Sequence, residues 1–218
     1  LWAKKRWNQN NTWKSLGFTQ FGASLFNRRF NKELFKSLLI IVFWIFLLIF
    51  GGFLRLKSGI GYSLLFDILF TSIFVGVAEE LLFRVWLFEE LKLFLSTPMA
   101  IVIQSIFFSM LHPYNFGESF TANILMKIGL FLLGFYLNLL RINNYPNIFP
   151  SIAFHGGIVG FIFLAQSIFQ VQGNYPILIY GIPYDNFINP VSGLIGIFTL
   201  FILNIFQIKT LKNFSKFH

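Results

Sequence analysis

The sequence predicts an all-α, polytopic membrane bundle, and three observations predict it. The chain has 218 residues, of which 56% are hydrophobic and only 11% charged; soluble domains carry roughly 25% charged residues. The apolar residues fall into runs near the ~20 that a helix needs to cross a hydrocarbon core. The formal net charge of +9 is concentrated at the ends: Lys4, Lys5, Arg6, Lys14, Arg28, Arg29, Lys32 and Lys36 lead the chain, and Lys209, Lys212 and Lys216 close it. Basic ends that flank apolar spans mark the cytoplasmic side of a membrane and its anionic headgroups. The same charge would suit nucleic acid, but no nucleic-acid module is recognisable, so none is expected as a partner. Cysteine is absent, which excludes disulfides, a thiol nucleophile and Cys-ligated zinc.

Residues 1–33 are basic and carry Trp2, Trp7 and Trp13; they read as a juxtamembrane segment, either lying along the interface or trailing as a tail. A membrane domain is expected over 34–208, followed by a basic tail at 209–218. Six spans are predicted within it. The first runs from Leu34 to Leu54 and is broken by Arg55, Lys57 and Gly59. The second, from Tyr62 to Arg84, contains Asp67, Glu79 and Glu80, and passes at 85–92 into an amphipathic continuation at the interface. The third, from Pro98 to His112, is short; proline suits the first turn of a helix, and Pro113 marks its end. The fourth covers Ala122 to Leu140 and includes Lys127; the fifth covers Ile148 to Ile168 and includes His155; the sixth covers Val191 to Ile208. Turn residues separate the fourth and fifth at 143–147, and a longer connection rich in Gly and Pro fills 170–190. An even number of spans returns the chain to the side it left, so both termini are expected on one side, the cytoplasmic or stromal one. The inner loops then hold Arg84, Lys92 and Arg141, the outer loops Glu118 and Asp185, and Arg55 and Lys57 run against the rule.

Charge within an apolar span is costly and is by default a sign of function. Ala78-Glu79-Glu80-Leu81-Leu82-Phe83-Arg84 places two carboxylates and an arginine at the end of such a run. Glu80 and Arg84 are four residues apart and face each other on a helix, so that pair reads as a structural brace. Adjacent helical positions point about 100° apart, which leaves Glu79 to face a different partner. A desolvated carboxylate serves as a general base near neutral pH. Of the three histidines, only His112 and His155 lie in the apolar region. Two histidines and a glutamate could hold and activate a water, or ligate a divalent metal such as zinc that does so. The two-histidine zinc helix is absent, as is the Gly-x-Ser-x-Gly elbow of serine hydrolases. At 1.5 Å per helical residue, Glu79 and His155 count roughly 7–10 Å from the inner side and His112 roughly 20 Å. The three therefore meet only if the third span tilts or starts late.

Glu-Glu-x-x-x-Arg at 79–84, Phe-x-x-x-His at 108–112 and the later His155 on an apolar helix resemble, in that order, the CPBP family. That family includes the CAAX prenyl proteases of the Ras-converting type and the bacteriocin-processing or Abi proteins. The resemblance spans 62–168, and the layout is most similar to the branch from photosynthetic prokaryotes and plastids. It implies an intramembrane endopeptidase in a plasma membrane or thylakoid, acting on a membrane-anchored peptide or protein. By carry-over, Glu79 is the general base, His112 positions the water, His155 stabilises the oxyanion, and Glu80 and Arg84 brace the site. Many members have an asparagine four residues after the second histidine; here Val159 stands there, and a missing oxyanion donor costs ~10²–10³ in rate. Two other functions fit a membrane bundle. One is a non-catalytic scaffold that stabilises a partner membrane protein, for which Val159 argues. The other is a transporter, prompted by Asp67 and Lys127, which equally fit an interhelical pair or positions near span ends; the repeated broken helices of transporters are not seen.

Overall fold

The computed structural model describes residues 2–7, 14, 16–18, 28–58, 63–112, 119–184 and 187–214. Six long helices form the molecule: α1 (Arg28–Phe50), α2 (Ser63–Glu80), α3 (Thr97–Leu111), α4 (Phe120–Asn143), α5 (Phe149–Ile168) and α6 (Leu194–Phe214). Each coincides with one of the six predicted spans. Among the described residues α1, α4, α5 and α6 are long and apolar enough to cross a membrane. α2 carries three acids, and α3 has only 15 residues, about 22 Å of helix.

Contacts along the helices show that neighbours in sequence run in opposite directions. Gly76 of α2 meets Gly156 of α5 while Ser72 meets Gly160, an antiparallel crossing. Ser37 and Trp44 of α1 meet Gly157 and Ala165 of α5 in parallel register. Tyr136 OH of α4 reaches Glu33 near the start of α1, and Asn143 at the end of α4 reaches Gln207 of α6. The start of α1 and the end of α6 therefore lie at the same end of the bundle.

Small residues set the closest approach. A Cβ on Gly76 would sit 3.0 Å from Gly156 Cα, and one on Gly156 would sit 2.7 Å from Ser72 O. With hydrocarbon outside, helices associate through such backbone proximity rather than through burial of apolar surface. The exposed residues agree: Phe35, Phe46, Phe66, Phe70, Phe74, Phe198 and Phe206 all point outward. The core holds Phe83, Phe108, Leu133, Tyr136, Leu137 and Phe154 at the junction of α3, α4 and α5.

Several local expectations are revised. The second span does not stop at Arg84. α2 passes directly into a π-helical segment at Leu81–Leu87 and then a short helix at Phe88–Leu91. The amphipathic continuation expected at 85–92 is this stretch, with Val85 and Phe88 buried and Trp86 exposed. Arg84 and Arg141 are buried rather than in loops, because each finds carbonyl acceptors inside the bundle: Gly134 O for Arg84, Pro146 O for Arg141. Neither contributes to a loop-charge argument for orientation; Glu118 and Asp185 lie outside the described residues. At the other end Leu54–Leu56 pairs antiparallel with Phe169–Val171, and Lys57 Nζ donates to Gln166 O at 2.6 Å. The connection at 170–190 is built rather than loose, since Ile182 and Ile188 are buried and Asn189 caps a 3₁₀ turn at Pro190–Ser192. The described parts of the N-terminal segment are also held. Arg6 and Trp7 both bond Glu90, at 3.2 and 2.9 Å, and Leu16 and Phe18 pack on Ile148 and Phe149. Trp13 lies outside the described residues.

Candidate active site

α3 ends against α4, and that ending builds the site. A helix leaves its last carbonyls without intrahelical partners, which is expensive away from water. Lys127 of α4 answers this: its ammonium donates to Ser109 O at 3.1 Å and to His112 O. The cation also complements the negative end of the α3 dipole. Lys127 thus has a role at a helix terminus; the interhelical pair with Asp67 weighed from the sequence lies outside the described residues.

The cap residue of α3 is His112. Its Nδ1 lies 2.7 Å from Phe108 O. A carbonyl only accepts, so Nδ1 carries the proton and Nε2 is turned toward Glu79, 3.9 Å from its Oε2. From α5, His155 Nε2 stands 3.8 Å from the same oxygen. Glu79, His112 and His155 therefore converge from three helices on one point. Glu79 lies deeper than the sequence count, because α2 continues to Leu91, twelve residues past Glu79, which sets Glu79 about 18 Å in from that end, level with His112.

Behind this point lies a second layer. Glu80 and Arg84 are both fully buried and form an ion pair at 3.3 Å, as the spacing predicted. Glu80 also reaches His155 Nδ1 at 2.9 Å. The two adjacent glutamates do share a partner after all. Imidazole has nitrogens on opposite edges, so carboxylates diverging by ~100° can face one ring from both sides, Glu80 at hydrogen-bond distance and Glu79 across a 3.8 Å gap. The brace is not saturated: Glu80 Oε2 and Arg84 Nε are buried without a hydrogen-bond partner. Phe108 fills the space between these groups. The Arg84 guanidinium lies 4.3 Å over its ring, a favourable cation–π geometry, and the ring touches both His112 and His155, at 4.7 and 5.8 Å between centroids. Phe108 and Lys127 were not singled out as site residues from sequence. The signal for Phe108 was present, since Phe-x-x-x-His puts both residues on one helix face. Lys127 had none, because its role follows from where α3 stops.

Exposure divides the site. His155, Glu80 and Arg84 are closed off, whereas Glu79 and His112 side chains are 29% and 30% exposed. Val159, one turn beyond His155, is half-buried. For a metal, the donor types suit zinc, but neighbouring ligands of a tetrahedral zinc with ~2.1 Å bonds lie about 3.4 Å apart, closer than the separations here. Among the described residues no group of three or more His, Asp or Glu is arranged to hold a metal ion. The trio as it stands does not fit a closed metal site.

The fold and the buried charge cluster define a polytopic helical membrane protein with a polar centre. Residues 61–161 match the family described as "Type II CAAX prenyl endopeptidase Rce1-like", a match that supports the resemblance to CPBP over this core of the chain. No curated protein and no solved structure matches the chain. The match supports a CAAX-protease-like membrane endopeptidase at the level of the family.

Proposed function

We propose that the protein is an intramembrane endopeptidase in which Glu79, His112 and His155 form the catalytic centre. The observation that carries this is the position of Glu79 Oε2, buried without a hydrogen-bond partner and 3.8–3.9 Å from two histidine nitrogens. That separation is too long for a direct hydrogen bond and is the span one bridging water covers.

In the proposed reaction His112, fixed by Phe108 O, orients a water whose proton Glu79 removes. The water oxygen bonds to the carbonyl carbon of a membrane-anchored peptide. The resulting oxyanion accepts from His155 Nε2–H, while Glu80 holds the ring at Nδ1. Collapse breaks the C–N bond, and the proton on Glu79 passes to the leaving amine. Arg84 holds Glu80, and Phe108 fixes both rings. Water and substrate enter at the exposed Glu79–His112 edge. No step passes through a metal; chelator should leave cleavage unchanged, and loss with rescue by zinc would instead assign the trio as ligands. Val159 supplies no hydrogen bond where many relatives have asparagine, so Val159→Asn should raise kcat.

The decisive test is cleavage of membrane-anchored peptides by purified protein and by Glu79→Gln. Unaltered cleavage by that variant would overturn the assignment. We place both termini on the cytoplasmic or stromal side, supported by the basic ends; with no native cysteine, Thr210→Cys and Ser58→Cys should be labelled from opposite sides, the first from within.

A further inference from the structure

Away from the proposed centre, a cavity of about 30 Å³ lies between α1, α4, α5, α6 and the 3₁₀ turn at Pro190–Ser192. Its walls include Ile40, Leu133, Phe154, Ile158, Val191 and Thr199. The surface it presents is wholly apolar; the one hydroxyl among the lining residues, on Thr199, donates to Ile195 O at 2.9 Å. The space exceeds the ~10–15 Å³ a water occupies, but a buried water also needs ~2–4 polar partners, and none faces it. At about a fifth of the ~150 Å³ that admits benzene, it suits the end of a slender chain rather than a ring.

Exposure shows where the cavity opens. Of its lining residues only Ile40 on α1 and Gly196 and Thr199 on α6 are partly exposed; the others are buried. α1 packs chiefly on α5, and α6 on α4, so the mouth lies at a seam between α1 and α6. The adjoining Leu39, Phe43, Phe198 and Ile202 are exposed apolar residues, and both helices are long and apolar enough to cross a membrane. The seam therefore faces hydrocarbon. Depth narrows the ligand. Ile40 is twelve residues past the start of α1 and Thr199 fifteen before the end of α6, roughly 18 and 22 Å from the shared end. That is toward the middle of a ~30 Å hydrocarbon core, where the tips of acyl chains lie. We propose that the cavity binds the methyl end of an acyl chain of a bilayer lipid, with the rest of that chain lying along the α1–α6 seam. The cavity backs onto the brace of the polar centre. Phe154 precedes His155, and Leu133 precedes Gly134, whose carbonyl accepts from Arg84 at 3.5 Å. The site does not depend on the proteolytic assignment.

The test uses the full chain in nanodiscs of phosphatidylcholine that carries a diazirine at the tip of one acyl chain. Photo-adducts are mapped by mass spectrometry, and thermal unfolding is followed in parallel. Leu133 and Phe154 are buried from the bilayer surface, so adducts on them require a chain end inside the cavity. Phe43 and Phe198 are exposed and take label from the bulk bilayer in any case. Adducts on Leu133 or Phe154 are expected. Thr199→Phe, which fills the cavity from its mouth, should cut them by roughly tenfold, because a close-packed interior leaves no room for the chain. Label on Phe43 and Phe198 should not change. Ile40→Phe closes the mouth from the α1 side and replaces Thr199→Phe if that variant does not melt cooperatively. A lipid with its diazirine beside the glycerol should label neither buried residue. Adducts confined to exposed residues would refute the proposal. Buried adducts undiminished in a filled variant that melts normally would do the same, as would labelling of the buried pair by the glycerol-side probe.

Discussion

Two buried carboxylates, Glu33 and Glu80, sit in apolar helices of the same bundle and differ in how completely they are answered. Glu33 is 5% exposed, with Lys36 Nζ at 2.7 and 2.5 Å from its two oxygens and Tyr136 OH at 3.0 Å. Every demand of that carboxylate is met locally by a partner three residues away and one hydroxyl. Glu80 is fully buried and holds Arg84 at 3.3 Å and His155 at 2.9 Å, yet its Oε2, the Arg84 Nε and the neighbouring Glu79 Oε2 lack partners. A satisfied network in low dielectric rigidifies, and an incompletely satisfied one is costly. The first cluster explains itself as structure. The second spends free energy on polar atoms that only a water or a substrate can answer, and it lies beside the half-open Glu79–His112 edge.

The comparison breaks first at Glu79. Glu79→Gln should lower cleavage by roughly 10²–10⁴, the usual contribution of a general base, and leave unfolding unchanged because the side chain is partly exposed. A peptide assay beside a thermal melt separates the two, and a variant that fails to fold would move Glu79 into the structural class. Next comes Arg84→Ala. Stripping the partner from a buried ion pair costs roughly 3–5 kcal/mol, so folded yield in detergent should collapse. Normal yield and melting would show that Glu80 needs no counter-charge.

Lys127→Met sharpens the contrast differently. It removes the donor to Ser109 O and His112 O, leaving the α3 terminus uncapped at a cost of roughly 1–3 kcal/mol for the stranded acceptors. Because His112 is the cap residue, kcat should fall with little change in KM, and Lys127→Arg should restore most of it. A stability loss with kcat intact would confine Lys127 to the fold.

Legibility followed the same division. The six helices were readable because lipid permits only apolar runs of near-fixed length. Glu79, His112 and His155 could be selected because a chain with so few charges exposes each one. The π-helical segment at 81–87 could not be foreseen, since Leu-Leu-Phe-Arg-Val-Trp-Leu carries no breaker and its register is set by packing. The sharing of His155 between two adjacent glutamates was misjudged because side-chain directions on one helix say nothing of a partner with two opposed nitrogens. Glu33 was passed over although Glu33-x-x-Lys36 is an ordinary i,i+3 pair; its third partner, Tyr136, is 103 residues away, and no local pattern signals such a contact.

The smallest expected effect lies in that satisfied cluster. Tyr136→Phe removes a hydroxyl that donates to Glu33 Oε2, while Lys36 keeps its hold on both carboxylate oxygens. The ring itself remains, with its packing against Phe154 at 4.6 Å between centroids. The hydroxyl also accepts from Lys36 Nζ at 2.7 Å, so two hydrogen bonds to charged groups are at stake, and the retained Lys36–Glu33 contact should hold their combined loss to roughly 1.5–3 kcal/mol. Cleavage should not change, because Tyr136 is buried and contacts Glu33 rather than the Glu79 trio. Chemical denaturation of the purified variant, paired with the peptide assay, tests both halves. A drop in cleavage with unchanged stability would show that the two carboxylate clusters are coupled through α4, and the distinction between a structural and a functional buried charge would then fail for this protein.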